Sequence, residues 1–144
     1  MKFVMNDKCS AGTGKFLEVM TNRLGLTQKE LSELASQGKD VTISSMCTVF
    51  AESEVVSLVA QNKDVADIIH GLNVSVASKV GALAARLGQE DSGEYMMTGG
   101  VAKNPGIVHA LEEKLKAKLY ICDEAQICGA LGAALFAYEK CQSE

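Results

Sequence analysis

Two cysteines stand where a thiol can act as a metal ligand or a nucleophile. Cys9 comes just before a glycine-rich helix start, and Cys47 precedes a strand-like run that leads into a helix predicted near Glu52. The dipole of a helix N-terminus stabilises a thiolate and lowers its pKa. Cys9 and Cys47 are 38 positions apart, a spacing that matches no zinc finger or zinc ribbon.

Two thiols are too few for a tetrahedral metal site. Two copies of the chain across a twofold axis would supply four thiolates, which is enough for a [4Fe–4S] cluster. A pair of buried structural cysteines is the competing interpretation, and on spacing alone it is the stronger one. Cys122, Cys128 and Cys141 are predicted to be core or tail thiols rather than ligands.

The segment 99–106 (GGVAKNPG) could carry a second kind of chemistry. Two glycines directly after a predicted strand let the backbone approach a ligand closely. Pro105 then opens a helix whose unpaired N–H groups favour anions or polar atoms. The segment is neither a Walker A loop nor a GxGxxG fingerprint. It predicts a nucleotide-contacting loop, with a plain strand-to-helix turn as the alternative.

The composition limits what kind of domain positions these residues. The chain has 144 residues, of which 47% are hydrophobic and 22% charged, and this predicts one globular domain. A net charge of −4 argues against nucleic acid as the main partner. Because no uninterrupted apolar run approaches 18 residues and the N-terminus lacks a signal-peptide core, we expect no membrane span and a cytoplasmic location.

Hydrophobic periodicity predicts an α/β fold with parallel crossovers in its second half. Helices are predicted over residues 15–24, from a cap at Thr27 to Gly38, over 52–61, from a cap at Asp64 to Gly88, and over 105–117 and 126–140. Strands are predicted over residues 2–5, 41–43, 47–50, 95–98 and 119–122. Val55, Val56 and Val59 are predicted to face the core. The last helix is predicted to carry an apolar face made of Ile127, Ala130, Leu131, Ala134, Leu135 and Tyr138.

Three stretches taken together resemble the BadF/BadG/BcrA/BcrD ATPase family. They are residues 6–18 (NDKCSAGTGKFLE), 44–55 (SSMCTVFAESEV) and 99–104 (GGVAKN), and the segment 126–137 fits the last helix of the same family. Within the family the resemblance is to the activators of 2-hydroxyacyl-CoA dehydratases, and it covers nearly the whole chain. It implies a ribonuclease-H-like half of the fold shared by acetate and sugar kinases, heat-shock chaperones and actin, in which two halves close on ATP.

The resemblance also implies cofactors and partners. It implies a homodimer with one [4Fe–4S] cluster between the subunits, held by Cys9 and Cys47 of each chain. It implies ATP or ADP with Mg²⁺, with the loop residues Gly99, Gly100, Ala102, Lys103 and Asn104 near the adenosine. ATP hydrolysis would drive a change at the cluster. One electron, received from ferredoxin or flavodoxin, would then pass to a 2-hydroxyacyl-CoA dehydratase or a benzoyl-CoA reductase-type partner.

A member of this family is about twice as long as this chain. We therefore expect residues 1–144 to be a single domain, the C-terminal half of a two-domain activator, incomplete at its N-terminus and without the phosphate-binding motifs. Weak ATP binding and little hydrolysis follow from that expectation. The strand predicted at 2–5 would have an open edge, which invites pairing with a second chain.

Two other functions compete with this interpretation. One is a cluster-free nucleotide-binding or structural module of the same fold, in which Cys9 and Cys47 serve only in packing. The other is a phosphotransferase resembling the sugar or acetate kinases. The sequence offers no candidate base or sugar-binding cluster for the second of these.

Overall fold

We describe the protein from a computed structural model, which defines residues 3–5, 12–39, 41–44, 47–87 and 94–142. In chain order the elements are α1 (Thr13–Leu24), α2 (Gln28–Leu34), α3 (Thr48–Ala60), α4 (Val65–Arg86), β1 (Tyr95–Met96), a 3₁₀ helix (Gly100–Lys103), α5 (Pro105–Leu115), β2 (Leu119–Tyr120) and α6 (Cys128–Gln142).

The hydrophobic core is built around α4. Its residues Ile68, Leu72 and Val76 recur at the spacing of one helical face and are almost fully buried. They pack in one cluster with side chains of α1, α3 and α5, and α4 and α5 lie side by side. The core members are Phe16, Leu17, Met20, Ile43, Ala51, Val55, Ile68, Leu72, Val76, Ala77, Ile107, Ala110 and Leu111.

Among the described helices, α4 is also the one whose length and hydropathy would allow it to cross a membrane. In the protein, 44% of its most apolar 18-residue window is buried. The apolar residues of α4 contribute to the packing with α5 and α1.

Local signals place several helix ends where the sequence predicted them. α1 ends at Gly25, whose φ of 68° lies in the left-handed region that glycine enters without steric cost. Thr27 and Glu30 form the predicted capping box at the start of α2, and the Asp64 carboxylate accepts the Ala66 N–H at the start of α4. α2 ends at Leu34, before the predicted stop at Gly38. A Cβ on Gly38 would collide with the backbone of Ala66.

The two strands form a parallel pair, as predicted. Tyr95 pairs with Leu119 and Met96 with Tyr120, and the 3₁₀ helix and α5 make the crossover between them. A parallel pair requires such a crossover, and here it places the glycine-rich segment directly after β1. Both strands are shorter than the sequence predicted.

Three predicted strands are wrong for the residues that the structure describes. Residues 3–5 and 41–43 are not in strands, and residues 48–50 form the first turn of α3 with Cys47 as the N-cap. The run Thr48, Val49 and Phe50 has high β propensity. Ala51 and Val55, which follow it, bury a helical face in the core, and this packing prevails over propensity. Since residues 3–5 are not in a strand, the open-edge argument for a dimer loses its basis.

Two predicted apolar faces are exposed. Val56 and Val59 of α3 are about half exposed, whereas Val55 is fully buried. None of the residues of α6, all of which are described, is buried. The predicted apolar face of the last helix therefore lies outside the core. It comprises Ala130, Leu131, Ala134, Leu135 and Tyr138, with Ile127 just before the helix.

Candidate functional site

The glycine pair lies in the connection from β1 to α5. Gly99 has a φ of 94°, a conformation that strains any side chain, and its N–H donates to the Ala125 carbonyl at 2.7 Å. The chain then forms the 3₁₀ helix, in which the Ala102 N–H donates to the Gly99 carbonyl at 3.1 Å. The segment is thus a defined turn, tied at its first glycine to the loop that follows β2.

Asn104 organises the start of α5. As the N-cap residue, its side-chain oxygen accepts the N–H groups of Gly106 at 3.0 Å and Ile107 at 3.2 Å. Pro105 occupies the first turn, where its missing N–H costs nothing. The Asn104 side chain is buried. Its Nδ2 finds no hydrogen-bond partner among the residues that the structure describes. A buried amide donor without a partner favours a ligand that accepts a hydrogen bond there.

A cavity of about 480 Å³ opens beside this turn. It is lined by Gly14, Leu17, Ser32, Gly100, Val101, Lys103 and Asn104. A Cβ on Gly100 would have no atom of the described chain within 4 Å, so the backbone is open to a ligand at that point. Three of the five predicted loop residues, Gly100, Lys103 and Asn104, line this cavity. Gly99 and Ala102 are not among its lining residues, and buried Ala102 packs beneath the turn.

Replacing Asn104 separates its role as a cap from its role in the cavity. Asn104→Ala removes the acceptor for two N–H groups of α5, so we expect a loss of about 0.5–2 kcal/mol in the free energy of unfolding. Asn104→Asp keeps the acceptor but removes the amide donor. This control should unfold at close to the wild-type urea midpoint while binding adenine nucleotide more weakly. Equal stability of all three proteins would show that the cap contributes nothing.

Cys47 occupies the N-cap position of α3. Its carbonyl accepts the first hydrogen bond of the helix, from the Ala51 N–H at 2.9 Å, and its side chain is half-buried. The structure therefore places a thiol at a helix N-terminus, as the sequence suggested, although the helix starts at Thr48 rather than near Glu52. Cys9, the second predicted ligand, lies outside the described residues.

A lysine that the sequence analysis did not single out lies close to Cys47. Burial lowers the pKa of Lys79, and a negative charge on Cys47 partly offsets this shift. Lys79 and Cys47 therefore lie close enough to interact electrostatically. The Lys79 ammonium also lies 4.4 Å from the centre of the Phe16 ring, a cation–π contact. The sequence carries one indication of this position, because the charged Lys79 interrupts the apolar face of α4 between Val76 and Val80.

No group of three or more His, Cys, Asp or Glu side chains is placed to hold a metal ion within the described ranges. The nearby carboxylate of Glu52 has a structural partner, because the Arg23 guanidinium donates to it. A metal site in this region would therefore rest on the thiols, with Cys47 as its described member.

Comparison with known proteins decides the family. The model of the BadF/BadG/BcrA/BcrD ATPase family matches residues 1–137. The chain belongs to this family. The assignment made from the three motifs is confirmed, and the segment 99–104 and Cys47 both lie inside the matched region.

Several relatives with assigned functions are dehydratase activators. The chain is 50% identical over 144 residues to the activator of lactoyl-CoA dehydratase from Anaerotignum propionicum, covering 99% of this chain and 55% of the relative. It is 52% identical over 139 residues to the (R)-2-hydroxyglutaryl-CoA dehydratase activating ATPase from Acidaminococcus fermentans, covering 96% of this chain and 53% of the relative. The chain thus spans about half the length of the curated relatives it matches.

A solved structure confirms the fold. The activator of 2-hydroxyisocaproyl-CoA dehydratase from Clostridium difficile, solved with bound ADPNP, superposes with a TM-score of 0.88 at 42% identity. The match covers 99% of this chain and 53% of that one. The expected fold of the actin-like ATPases is therefore correct for this chain, although its sheet is limited to a short parallel pair among the described residues.

Proposed function

We propose that this chain acts as part of an ATP-dependent electron-transfer activator of a 2-hydroxyacyl-CoA dehydratase. The observation that carries the proposal is the superposition on a dehydratase activator with bound ADPNP, at 42% identity over 99% of the chain. We further propose that residues 1–144 form a single domain, corresponding to one half of a two-domain activator. The dehydratase is the proposed partner, ferredoxin or flavodoxin the proposed electron donor, and the cytoplasm the proposed location.

The nucleotide would be held on the adenosine side by the turn after β1. The backbone at Gly100 is open to the cavity, and the buried Asn104 Nδ2 is a donor without a partner among the described residues. Lys103 adds an exposed positive charge at the rim, and Gly99 and Ala102 hold the shape of the turn. These features fit a polar, anionic ligand such as ATP or ADP, bound with Mg²⁺.

The cluster would be held by Cys9 and Cys47 from each of two chains. A [4Fe–4S] cluster stores and releases one electron at low potential. The donor set suits it, because thiolates are the usual ligands of such clusters. The N-terminus of α3 and the Lys79 ammonium both place positive charge near Cys47, and this stabilises a thiolate there.

Iron and acid-labile sulfide content test the cluster directly. The full chain is reconstituted without oxygen, desalted and analysed for both elements. We expect about two irons and two sulfides per chain, because one four-iron cluster is shared by two chains. About four irons per chain would contradict the sharing. A parallel titration with ADP tests the nucleotide site on its own. ADP binding without iron would instead support the cluster-free nucleotide-binding module.

A further inference from the structure

The loop between β2 and α6 brings two thiols together. Cys122 follows β2 and Cys128 is the first residue of α6, and their sulfur atoms lie 3.5 Å apart. Both side chains are half-buried, so a small molecule can reach them from solvent. Neither thiol belongs to the proposed cluster or nucleotide site, and the sequence analysis assigned them only to the core or tail.

We propose that Cys122 and Cys128 form a redox-active dithiol that a peroxide oxidises to an intramolecular disulfide. The sulfurs must approach from 3.5 Å to a bonding distance of about 2.05 Å. Rotation of the two side chains can supply this movement, since Cys122 lies in an irregular segment and Cys128 in the first turn of a helix. Cys141 is not part of this pair and lies exposed near the end of α6.

The order of the two steps follows from the hydrogen bond between the thiols. That bond raises the pKa of Cys128 most, and desolvation and the charges of Cys122 and Glu124 raise it further. This raised pKa disfavours Cys128 as the attacking group. We therefore assign the attack to Cys122. Cys122 loses its proton as its sulfur takes one oxygen from the peroxide to form a sulfenic acid, and that proton joins the leaving hydroxide as water.

Cys128 completes the reaction. Its sulfur attacks the Cys122 sulfenic acid, the S–O bond breaks, and a second water leaves as the S–S bond forms. In total two thiols lose two electrons and two protons, and one hydrogen peroxide becomes two waters. The acidic residues Asp123 and Glu124, both exposed in the same turn, repel an anionic disulfide such as oxidised glutathione. They leave an uncharged peroxide as the favoured oxidant.

The turn that the two thiols enclose is connected to the nucleotide loop. Buried Ala125 lies between them, and its carbonyl accepts the Gly99 N–H at 2.7 Å. Its own N–H donates to the Cys122 carbonyl at 3.0 Å. A disulfide across this turn restricts the motion of the Ala125 carbonyl and so strengthens the hydrogen bond that it accepts from the Gly99 N–H. The consequence for nucleotide binding rests on the proposed function, whereas disulfide formation does not.

Peptide mapping tests the disulfide, because trypsin releases both thiols in one peptide. Cleavage after Lys118 and Lys140 gives residues 119–140, whose cysteines are Cys122 and Cys128. The reduced full chain is treated briefly with hydrogen peroxide and then with iodoacetamide. We expect this peptide to be unalkylated and about 2 Da lighter than its reduced, unalkylated form. Dithiothreitol should restore two alkylation sites. Cys141→Ser should behave like wild type, and Cys128→Ser should lose the lighter peptide.

Hydrogen exchange tests the connection to Gly99. In oxidised wild type we expect the Gly99 amide to exchange several-fold more slowly than in equally treated Cys128→Ser. A peptide that stays alkylated at both thiols, or that carries a sulfinic acid on Cys122, would overturn the dithiol. A disulfide without a change at Gly99 would overturn the coupling alone. Failure of the reduced wild-type chain to bind ADP would contradict the proposed function and leave the dithiol unaffected.

Discussion

The Cys47→Ser variant is expected to retain only background iron after anaerobic reconstitution. A serine hydroxyl does not replace a thiolate in the ligand set of an iron–sulfur cluster, and each shared cluster would lose two ligands at once. The fold should survive the change. Serine is among the preferred N-cap residues, and Cys47 occupies the N-cap of α3. The measurement is iron per chain, with the far-ultraviolet circular dichroism spectrum as the check on folding.

Cys141→Ser is the matched control for this experiment. It makes the same atomic change at an exposed position on α6, away from the α3 N-terminus, and should keep the wild-type iron content. Iron bound by Cys47→Ser at the wild-type level would mean that Cys47 is a structural thiol. Loss of iron in both variants would point to general damage to cluster assembly rather than to a lost ligand.

The second large effect is expected in the core. Leu72 is fully buried at the centre of α4, where it packs in the cluster formed by α1, α3 and α5. Leu72→Ala removes its apolar contacts and leaves a cavity, so the free energy of unfolding should fall by about 2–5 kcal/mol. Leu131→Ala makes the same change on exposed α6 and should stay within about 0.5 kcal/mol of wild type.

Urea unfolding of the three proteins gives the comparison, with the midpoint and the slope fitted together. A similar loss for Leu72→Ala and Leu131→Ala would mean that α6 is packed in solution. That result would contradict the exposure of Leu131, which is 49% in this structure.

Features that depend on a few neighbouring residues could be predicted from the sequence. The capping box at Thr27 and Glu30, the cap at Asp64 and the glycine at the end of α1 each act within one helical turn. The crossover between β1 and β2 was predictable for a related reason, since strand, glycine turn and helix follow one another within a short segment. Asn104 was also predicted from this segment, as a residue of the loop that follows β1.

Features that depend on distant packing were not predictable. Residues 48–50 have strand propensity and form a helix because Ala51 and Val55 bury against α1, which lies far away in the sequence. The periodicity of α6 correctly indicated a helix with apolar positions. It could not say whether another element lies opposite them, and none of the described residues of α6 is buried.

Side chains near the site were missed for the same reason. Lysine is usually a surface residue, so the position of Lys79 beside Cys47 depends on how α4 packs against the start of α3. The contact between the Cys122 and Cys128 sulfurs depends on the shape of a turn. The sequence predicted that Cys47 precedes a helix, but it placed a strand between them, whereas Cys47 is the N-cap of α3.

Because α6 is exposed, we expect its folding to be only weakly coupled to that of the core. An isolated helix of 15 residues is marginal in water, and α6 has no buried side chain to link its order to that of the core. We therefore expect its turns to open at a lower free energy than those of α4. A surface that covers α6 must supply the free energy that orders it. Association through α6 would accordingly couple binding to folding. The measured binding free energy would be what is left of the interaction free energy after the cost of ordering α6.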